Sequence, residues 1–450
     1  VRGKLLEMLR SRFVRDTATL QAAGVINQLS QMISTVLIAY LLGAEGQGLL
    51  VTAIALQGGL HFLVNTGVVP ATVSQIAVAA SRGNAEKTAG WIAFVTKAIL
   101  VFGLAILVVG WFLLPWVGER WFGSREVGVW AWVLCLEPVL DLPRAVAFTA
   151  FQGTRRMKAL AQLENADEVV RLFLVVIGAV VTGSGLGAVI GSVIAALFGS
   201  LLAIELWRQA RNDGGSVLPS VRDIARSMWS VPLRQGLRLG LRIGIVKNGT
   251  SLFLTVFPRL VISRFVGPEY TSYFHIAQRI LTIPLTLMLG ISRTALPALA
   301  GLSGTRDWRG FRKLFLQISL GSGAVLGGSI VLAIPFIEPL VAWLFPPDYA
   351  HPVATYYMVL CVGAVPFTFA VAIEAFYIAT NRIKAWLWLT ALGALITIPL
   401  NVVFVKLIPY TGMAWGIALY QSWVLVHLVY IIWVLRTRSA FDGEPATKAA

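Results

Sequence analysis

Ala89-Gly-Trp-Ile-Ala-Phe-Val-Thr-Lys-Ala-Ile-Leu-Val-Phe-Gly-Leu-Ala-Ile-Leu-Val-Val-Gly-Trp-Phe-Leu-Leu114 carries a single charge, Lys97, in an otherwise apolar run. Crossing the hydrocarbon core of a bilayer takes about 20 predominantly apolar residues in helical form. The run predicts a transmembrane helix, and the chain repeats the pattern on both sides of it. Segments bounded by Gly, Pro and charge clusters give twelve spans: 17–42, 49–80, 89–114, 127–150, 164–182, 186–207, 239–264, 271–298, 314–338, 353–379, 385–407 and 412–435. The second and eighth exceed one crossing, so each is expected to be tilted or broken, with Gly67–Pro70 and Pro284 as the candidate break points. The 450 residues are 57% apolar and 13% charged. A soluble domain averages about 25% charged residues. So few charges cannot cover a surface in water, and the expected class is an all-α integral membrane protein.

The net charge of +16 does not indicate nucleic-acid binding. No RRM, zinc-finger or basic-helix signature occurs, and the Lys and Arg residues sit in short clusters between apolar runs. Alternate loops, counted from the N-terminus, hold 25 of them and the opposite set holds 4, namely Arg120, Arg125, Arg264 and Lys406. This bias predicts that both termini are cytoplasmic. Arg2, Lys4, Arg10, Arg12 and Arg15 precede a first run too long for a cleaved signal, which predicts a signal anchor. The expected organisation is an N-lobe over 1–207, a cytoplasmic amphipathic linker over 208–238, a C-lobe over 239–435 and a cytoplasmic tail over 436–450. Cys135 and Cys361 lie within apolar runs and read as small core residues. The four histidines have no metal-ligand spacing. No cofactor is expected. Trp116, Trp121, Tyr349 and Tyr356 lie near span ends and are expected in interfacial belts.

The two halves repeat each other. Phe151-Gln-Gly-Thr-Arg-Arg-Met-Lys-Ala-Leu160 and Tyr377-Ile-Ala-Thr-Asn-Arg-Ile-Lys-Ala-Trp386 share Thr, Arg, Lys and Ala at an offset of 226, which also relates Cys135 to Cys361. Leu42-Gly-Ala-Glu45 matches Val266-Gly-Pro-Glu269 at an offset of 224. Six spans per half return the chain to the same side, so the repeats are parallel. Two such lobes with a substrate between them are a transporter design.

Ile38-Ala-Tyr-Leu-Leu-Gly-Ala-Glu-Gly-Gln-Gly48, followed by Gly67 and Ala71-Thr72, resembles the first two helices of bacterial polysaccharide/O-antigen lipid-linked oligosaccharide flippases. These belong to the multidrug/oligosaccharidyl-lipid/polysaccharide exporter superfamily. Pro258-Arg-Leu-Val-Ile-Ser263, Gly267, Tyr273, Ala277, Arg279, Pro297 and Phe151-Gln-Gly add to the likeness. The resemblance implies a MATE-like fold of two six-helix lobes that rock between inward- and outward-open states. It implies a polyprenyl-pyrophosphate-linked glycan as cargo, moved to the outer leaflet of a bacterial cytoplasmic (inner) membrane. It also implies contact with the lipid bilayer and with other polysaccharide-assembly proteins.

Eight basic residues fall inside the spans: Lys97, Arg144, Arg171, Arg242, Lys247, Arg259, Arg279 and Arg293. Each costs about 2.5–3.5 kcal/mol at mid-bilayer on insertion scales. Arg242 and Arg293 sit near cytoplasmic ends and are expected to snorkel. Arg171 follows Asp167 by four residues and Glu168 by three, the spacing of an intrahelical ion pair. Glu137, Asp141 and Arg144 share one face of a helix bent by Pro138 and Pro143, so pairing and substrate contact both stay open for Arg144. Lys97, Lys247, Arg279 and Arg259 have no such acid close by on their own helix. The expectation is a cationic cavity in which Arg259, Arg279, Arg144, Lys247 and Lys97 meet a diphosphate, guanidinium offering paired donors to phosphate oxygens. Glu374, Asp141 and Glu137 are the candidates for carrying a coupling ion, H+ or Na+.

Two competing readings have their own signatures. A drug/cation antiporter of the same fold should line its pocket with acids. A polytopic polyprenol-linked glycan polymerase or ligase needs a catalytic residue on a substantial outer loop, and the outer loops here are short. An enzyme is therefore not expected. No Gly-x-x-x-x-Gly-Lys-Ser/Thr motif occurs, so energy must come from an ion gradient, the membrane potential or product removal.

Overall fold

The computed structural model describes residues 12–62, 68–213, 218–233, 252–305 and 307–437. Among them every regular element is helical. The first compact unit lies within Val1–Ser272 and the second within Tyr273–Ala450. The first unit contains α1 (Arg12–His61), α2 (Val68–Ser81), α3 (Ala85–Phe122), α4 (Arg125–Leu134), α5 (Glu137–Leu140), α6 (Leu142–Gly153), α7 (Met157–Thr182), α8 (Gly185–Asn212), α9 (Val221–Ser230) and α10 (Phe257–Phe265). Helix α11 (Pro268–Gly304) begins in the first unit and continues in the second. There follow α12 (Trp308–Ser322), α13 (Gly328–Leu344), α14 (Ala350–Thr368), α15 (Ile373–Ala379), α16 (Ile383–Leu407), α17 (Gly412–Ser422) and α18 (Val424–Arg436).

Seven helical segments among the described residues are long and apolar enough to cross a membrane. The other expected spans are helical too, but interrupted, charged or partly outside the described residues. Helix α1 is two helices joined at Gly43, whose φ of 69° is a conformation that glycine adopts without steric strain. In the second span α1 ends at His61 and α2 starts at Val68, and Gly67 of the candidate break lies outside the described residues. Pro284 does not break the eighth span: α11 runs on through it from Pro268 to Gly304. Proline is tolerated inside membrane helices because neighbouring groups re-satisfy the carbonyl it frees. Lipid serves as the outer solvent. Val181 is 78% exposed and Trp388 77%, alongside many other large apolar side chains. Contiguous apolar exposure on that scale marks a membrane surface.

The internal repeat is present in the backbone. Helix α6 ends at Gly153 and α15 at Ala379; the next helices start at Met157 and Ile383, all at the 226-residue offset. Among the described residues, Arg155 (φ 57°) and Asn381 (φ 54°) are the two non-glycine positions with positive φ, and they share that offset. Both turns close with the same bonds: Arg156 N to Phe151 O at 2.8 Å and Arg382 N to Tyr377 O at 2.9 Å. The 224-residue pair Gly43 and Gly267 both have positive φ as well.

Within the first unit, α7 and α8 are in backbone contact. A Cβ at Gly187 would lie 2.0 Å from the Gly178 carbonyl oxygen, so only glycine permits this approach. Cys135 and Cys361 are free and buried, as their apolar settings predicted. Helix α9 is capped by a reciprocal Ser220–Asp223 box. Those hydrogen bonds from Ser220 hold the Asp223 carboxyl below its ordinary value. Ile224 of α9 is buried, while Val221 and Trp229 are exposed. Trp116 and Trp121 are exposed as belt residues should be, but Tyr349 and Tyr356 are buried. Tyr356 donates to the Tyr410 carbonyl at 2.5 Å and Tyr349 packs on Tyr273 and Phe345, so these two rings are core of the second unit.

Candidate functional site

The fourth span is folded rather than straight. Leu136 precedes a one-turn helix, α5, and Asp141 separates it from α6, with Pro138 and Pro143 in the first turns of α5 and α6. Proline lacks the N–H that would continue the ladder. The carbonyl of Leu140 at this break accepts instead from the Ser200 hydroxyl of α8, at 2.7 Å. The bend turns Glu137, Asp141 and Arg144 toward α7 and α8.

Arg144 grips Asp141 with two bonds, Nε to Oδ1 at 2.5 Å and Nη2 to Oδ2 at 2.6 Å. Its Nη1 lies 3.5 Å from Asp167 Oδ2 on α7. Arg171, one helical turn further along α7, reaches the same Oδ2 at 3.5 Å. Arg171 also donates to Glu137 Oε1 at 3.2 Å and to Ser192 Oγ of α8 at 2.7 Å. Ser192 in turn donates to Glu137 at 2.5 Å. Asp167 is thus a bridge between two guanidiniums, and it is 5% exposed. Each arginine is 24% exposed.

Two cavities of the first unit share this network. One, of about 390 Å³, is lined by His61, Glu137, Asp141, Arg144 and Arg171, with Gln57 beside them. The other, of about 450 Å³, is lined by Glu137, Arg144, Asp167, Glu168 and Arg171. It is also lined by the polar stripe Ser30, Gln31, Ser34 and Thr35 of α1. These cavities set two guanidiniums among four carboxylates. Within the first unit each arginine sits beside acids from its own span and from neighbouring helices, which offsets the cost of a charge among apolar helices.

Lys97 Nζ donates to the Val231 carbonyl at the end of α9, at 3.0 Å, so it ties α9 to α3 and lines neither of these two cavities. Arg259 follows Pro258 on α10 and Arg279 lies on α11; both are half-buried. Glu374 is exposed in the first turn of α15, where a carboxylate complements the helix N-terminus. Lys247 and Arg242, and the side chain of Arg293, lie outside the described residues. Sequence reasoning missed Ser192 and the α1 stripe. The stripe had a signal, since Ser30/Ser34 and Gln31/Thr35 repeat at i, i+4 inside an apolar run.

The family model described as polysaccharide biosynthesis protein matches residues 13–303. A second model, MatE, matches residues 245–403. Stage V sporulation protein B of Bacillus subtilis (strain 168) is 26% identical over 178 residues, 38% of this chain. The match spans about a third of that relative, 33% of its length. Among solved structures, an inward-facing multidrug resistance MATE family transporter of the MOP superfamily superposes with a TM-score of 0.70 at 18% identity, covering 93% of this chain and 96% of the other. The lipid II flippase MurJ, inward closed, superposes at 0.66 with 14% identity over 92% and 87%. A MOP superfamily transporter from Pyrococcus furiosus superposes at 0.64 with 17% identity over 96% of both chains. The fold is MATE-like.

Proposed function

This chain belongs to the polysaccharide biosynthesis protein family, and from that premise we propose that it flips a polyprenyl-pyrophosphate-linked oligosaccharide from the cytoplasmic to the outer leaflet. The cycle is alternating access between two lobes, 1–207 and 239–435, in a bacterial inner membrane with both termini in the cytoplasm. The observation that carries the reading is the pair Arg144 and Arg171 at mid-span, bridged by one carboxylate and facing shared cavities. A diphosphate offers each guanidinium the paired oxygens that Asp141, Glu137 and Asp167 offer in its absence. The acids keep the arginines charged, aligned and affordable in lipid when no cargo is bound. Arg259, Arg279 and Lys247 are further candidates for contact with the cargo, and other polysaccharide-assembly proteins are candidate partners.

One observation favours a second reading, drug/cation antiport: the carboxylates around the two cavities outnumber the arginines. The two readings separate in proteoliposomes containing the full chain. A flippase exposes a prenyl-diphosphate-linked oligosaccharide to an external glycosidase at a rate that scales with protein. An antiporter instead couples ethidium movement to an imposed H+ or Na+ gradient and leaves the glycan lipid protected. Ethidium exchange without glycan exposure would sink the proposal.

A further inference from the structure

The second cavity is lined by two kinds of polar group. Arg144 and Arg171 come with the carboxylates Glu137, Asp167 and Glu168, while α1 adds the neutral Ser30, Gln31, Ser34 and Thr35. Ser30 and Ser34, like Gln31 and Thr35, are four residues apart, so the stripe lies on one face of the helix. That face is held from beyond the Gly43 kink. Gln47 Nε2 donates to the Thr35 carbonyl at 2.9 Å, and Gln47 Oε1 accepts from the Ser272 hydroxyl at 2.6 Å. Thr35 donates its own hydroxyl to the Gln31 carbonyl at 2.7 Å. Leu50 and Leu172 are among the apolar side chains that complete the lining. A cavity of about 450 Å³ takes a drug-sized ligand, and a diphosphate fills only part of it.

We propose that this cavity holds the sugar next to the diphosphate, and that it selects a neutral hexose over an acidic one. This deepens the diphosphate reading and rests on it. Hydroxyls and an amide are the groups that suit a hexose, because each sugar hydroxyl both donates and accepts. Apolar side chains beside them suit the C–H edges of the ring. Charge supplies the selectivity. Once both guanidiniums hold phosphate oxygens, no other lysine, arginine or histidine remains among the described residues that line the cavity. A sugar carboxylate would enter beside Glu137, Asp167 and Glu168 with no cation to meet it. Like charges repel strongly where water does not screen them. A neutral sugar meets no such cost, and its hydroxyls donate to the Glu168 carboxylate and to the Gln31 side-chain carbonyl.

The test measures, by calorimetry, the binding of three soluble diphosphate diesters to the purified full-length chain. They are glucosyl farnesyl diphosphate, its glucuronosyl analogue and methyl farnesyl diphosphate. The last has the diphosphate charge of the first and no sugar. Wild type should bind the glucosyl probe about tenfold tighter than the methyl probe, the gain of one or two net hydrogen bonds. It should bind the glucosyl probe at least about tenfold tighter than the glucuronosyl probe. Gln31→Leu/Ser34→Ala should bring the glucosyl probe down to the methyl probe, and Glu168→Gln should narrow the gap to the glucuronosyl probe. The three-probe comparison uses wild type alone, so it decides the matter even where a variant fails to fold. A glucosyl probe no tighter than the methyl probe, or no tighter than the glucuronosyl probe, overturns the sugar assignment and leaves the diphosphate reading intact. So does a folded double variant that keeps the full glucosyl gain. If none of the three binds wild type, the diphosphate reading falls and the sugar assignment falls with it.

Discussion

The break in the first unit at α4–α6 and its counterpart at α14–α15 end in the same turn but surround it with opposite chemistry. Positions 226 residues after Glu137, Asp141, Arg144, Asp167 and Arg171 are Gly363, Phe367, Ala370, Gly393 and Thr397. Where Glu137 bonds Ser192 and Arg171, Gly363 lies so close to α17 that a Cβ would sit 2.4 Å from the Ala418 carbonyl oxygen. Where Asp167 bridges two arginines, Gly393 packs on the Trp423 ring, and a Cβ there would come within 2.5 Å. Thr397 merely returns its hydroxyl to the Gly393 carbonyl at 2.7 Å. A duplicated backbone device has thus been kept in both halves. Polar chemistry around it is concentrated in one of them, and the other closes the space by tight packing at Gly363 and Gly393. An interior cation is tolerated only beside carboxylates, so charges could be kept or lost only as a set.

The comparison can be broken most forcefully by installing the first unit's acid in the second. Gly363→Glu puts a carboxylate against a backbone carbonyl with no guanidinium to meet it. We expect a loss above about 4 kcal/mol and hence no folded protein. A monodisperse chromatographic peak at wild-type height would show that the second unit has room for the network after all. Arg171→Met and Thr397→Val sharpen the contrast at equivalent sites. Arg171→Met leaves Glu137 without a counter-ion and Asp167 with Arg144 alone, and should cost about 3–5 kcal/mol. Thr397→Val loses one local hydrogen bond and should cost no more than about 1 kcal/mol. Thermal unfolding in detergent reads the two shifts, and equal shifts would contradict the asymmetry. The smallest effect concerns the turn itself. Positive φ is more strained for Arg155 than for Asn381, since a short amide tolerates the left-handed region. Arg155→Gly should stabilise by about 0.5–1 kcal/mol and Asn381→Gly by a few tenths at most. A larger gain at Asn381 would mean that the two turns differ in strain.

Most of the fold was legible because lipid imposes it. Apolar runs of span length, with Lys and Arg sorted between loops, leave little choice of class, and the repeat at Phe151 and Tyr377 marked a turn that the backbone carries twice. Pro284 was misread because a proline in a membrane helix is a weak breaker when its neighbours absorb the freed carbonyl. Tyr349 and Tyr356 were misread because nearness to a span end does not say which way a ring faces. At the site, the spacings of Asp141 with Arg144 and of Asp167 with Arg171 were visible, since they lie on single helices. The bonds of Arg171 to Glu137 and Ser192 join three spans, and no local spacing encodes them. Lys97 shows the same limit: its partner is the carbonyl of Val231, a backbone atom far along the chain.

The most direct test asks whether the paired donors of Arg144 and Arg171, beyond their charge, handle the cargo. The Arg144→Lys/Arg171→Lys double variant keeps a counter-ion for every carboxylate but removes both planar forks. Its initial rate of glycan-lipid exposure in proteoliposomes is compared with wild type at equal amounts of folded protein. We predict at least about a tenfold fall, the factor that follows from losing roughly 1.4 kcal/mol of headgroup contact. An unchanged rate would contradict the claim that this ion-paired layer is where the diphosphate is held.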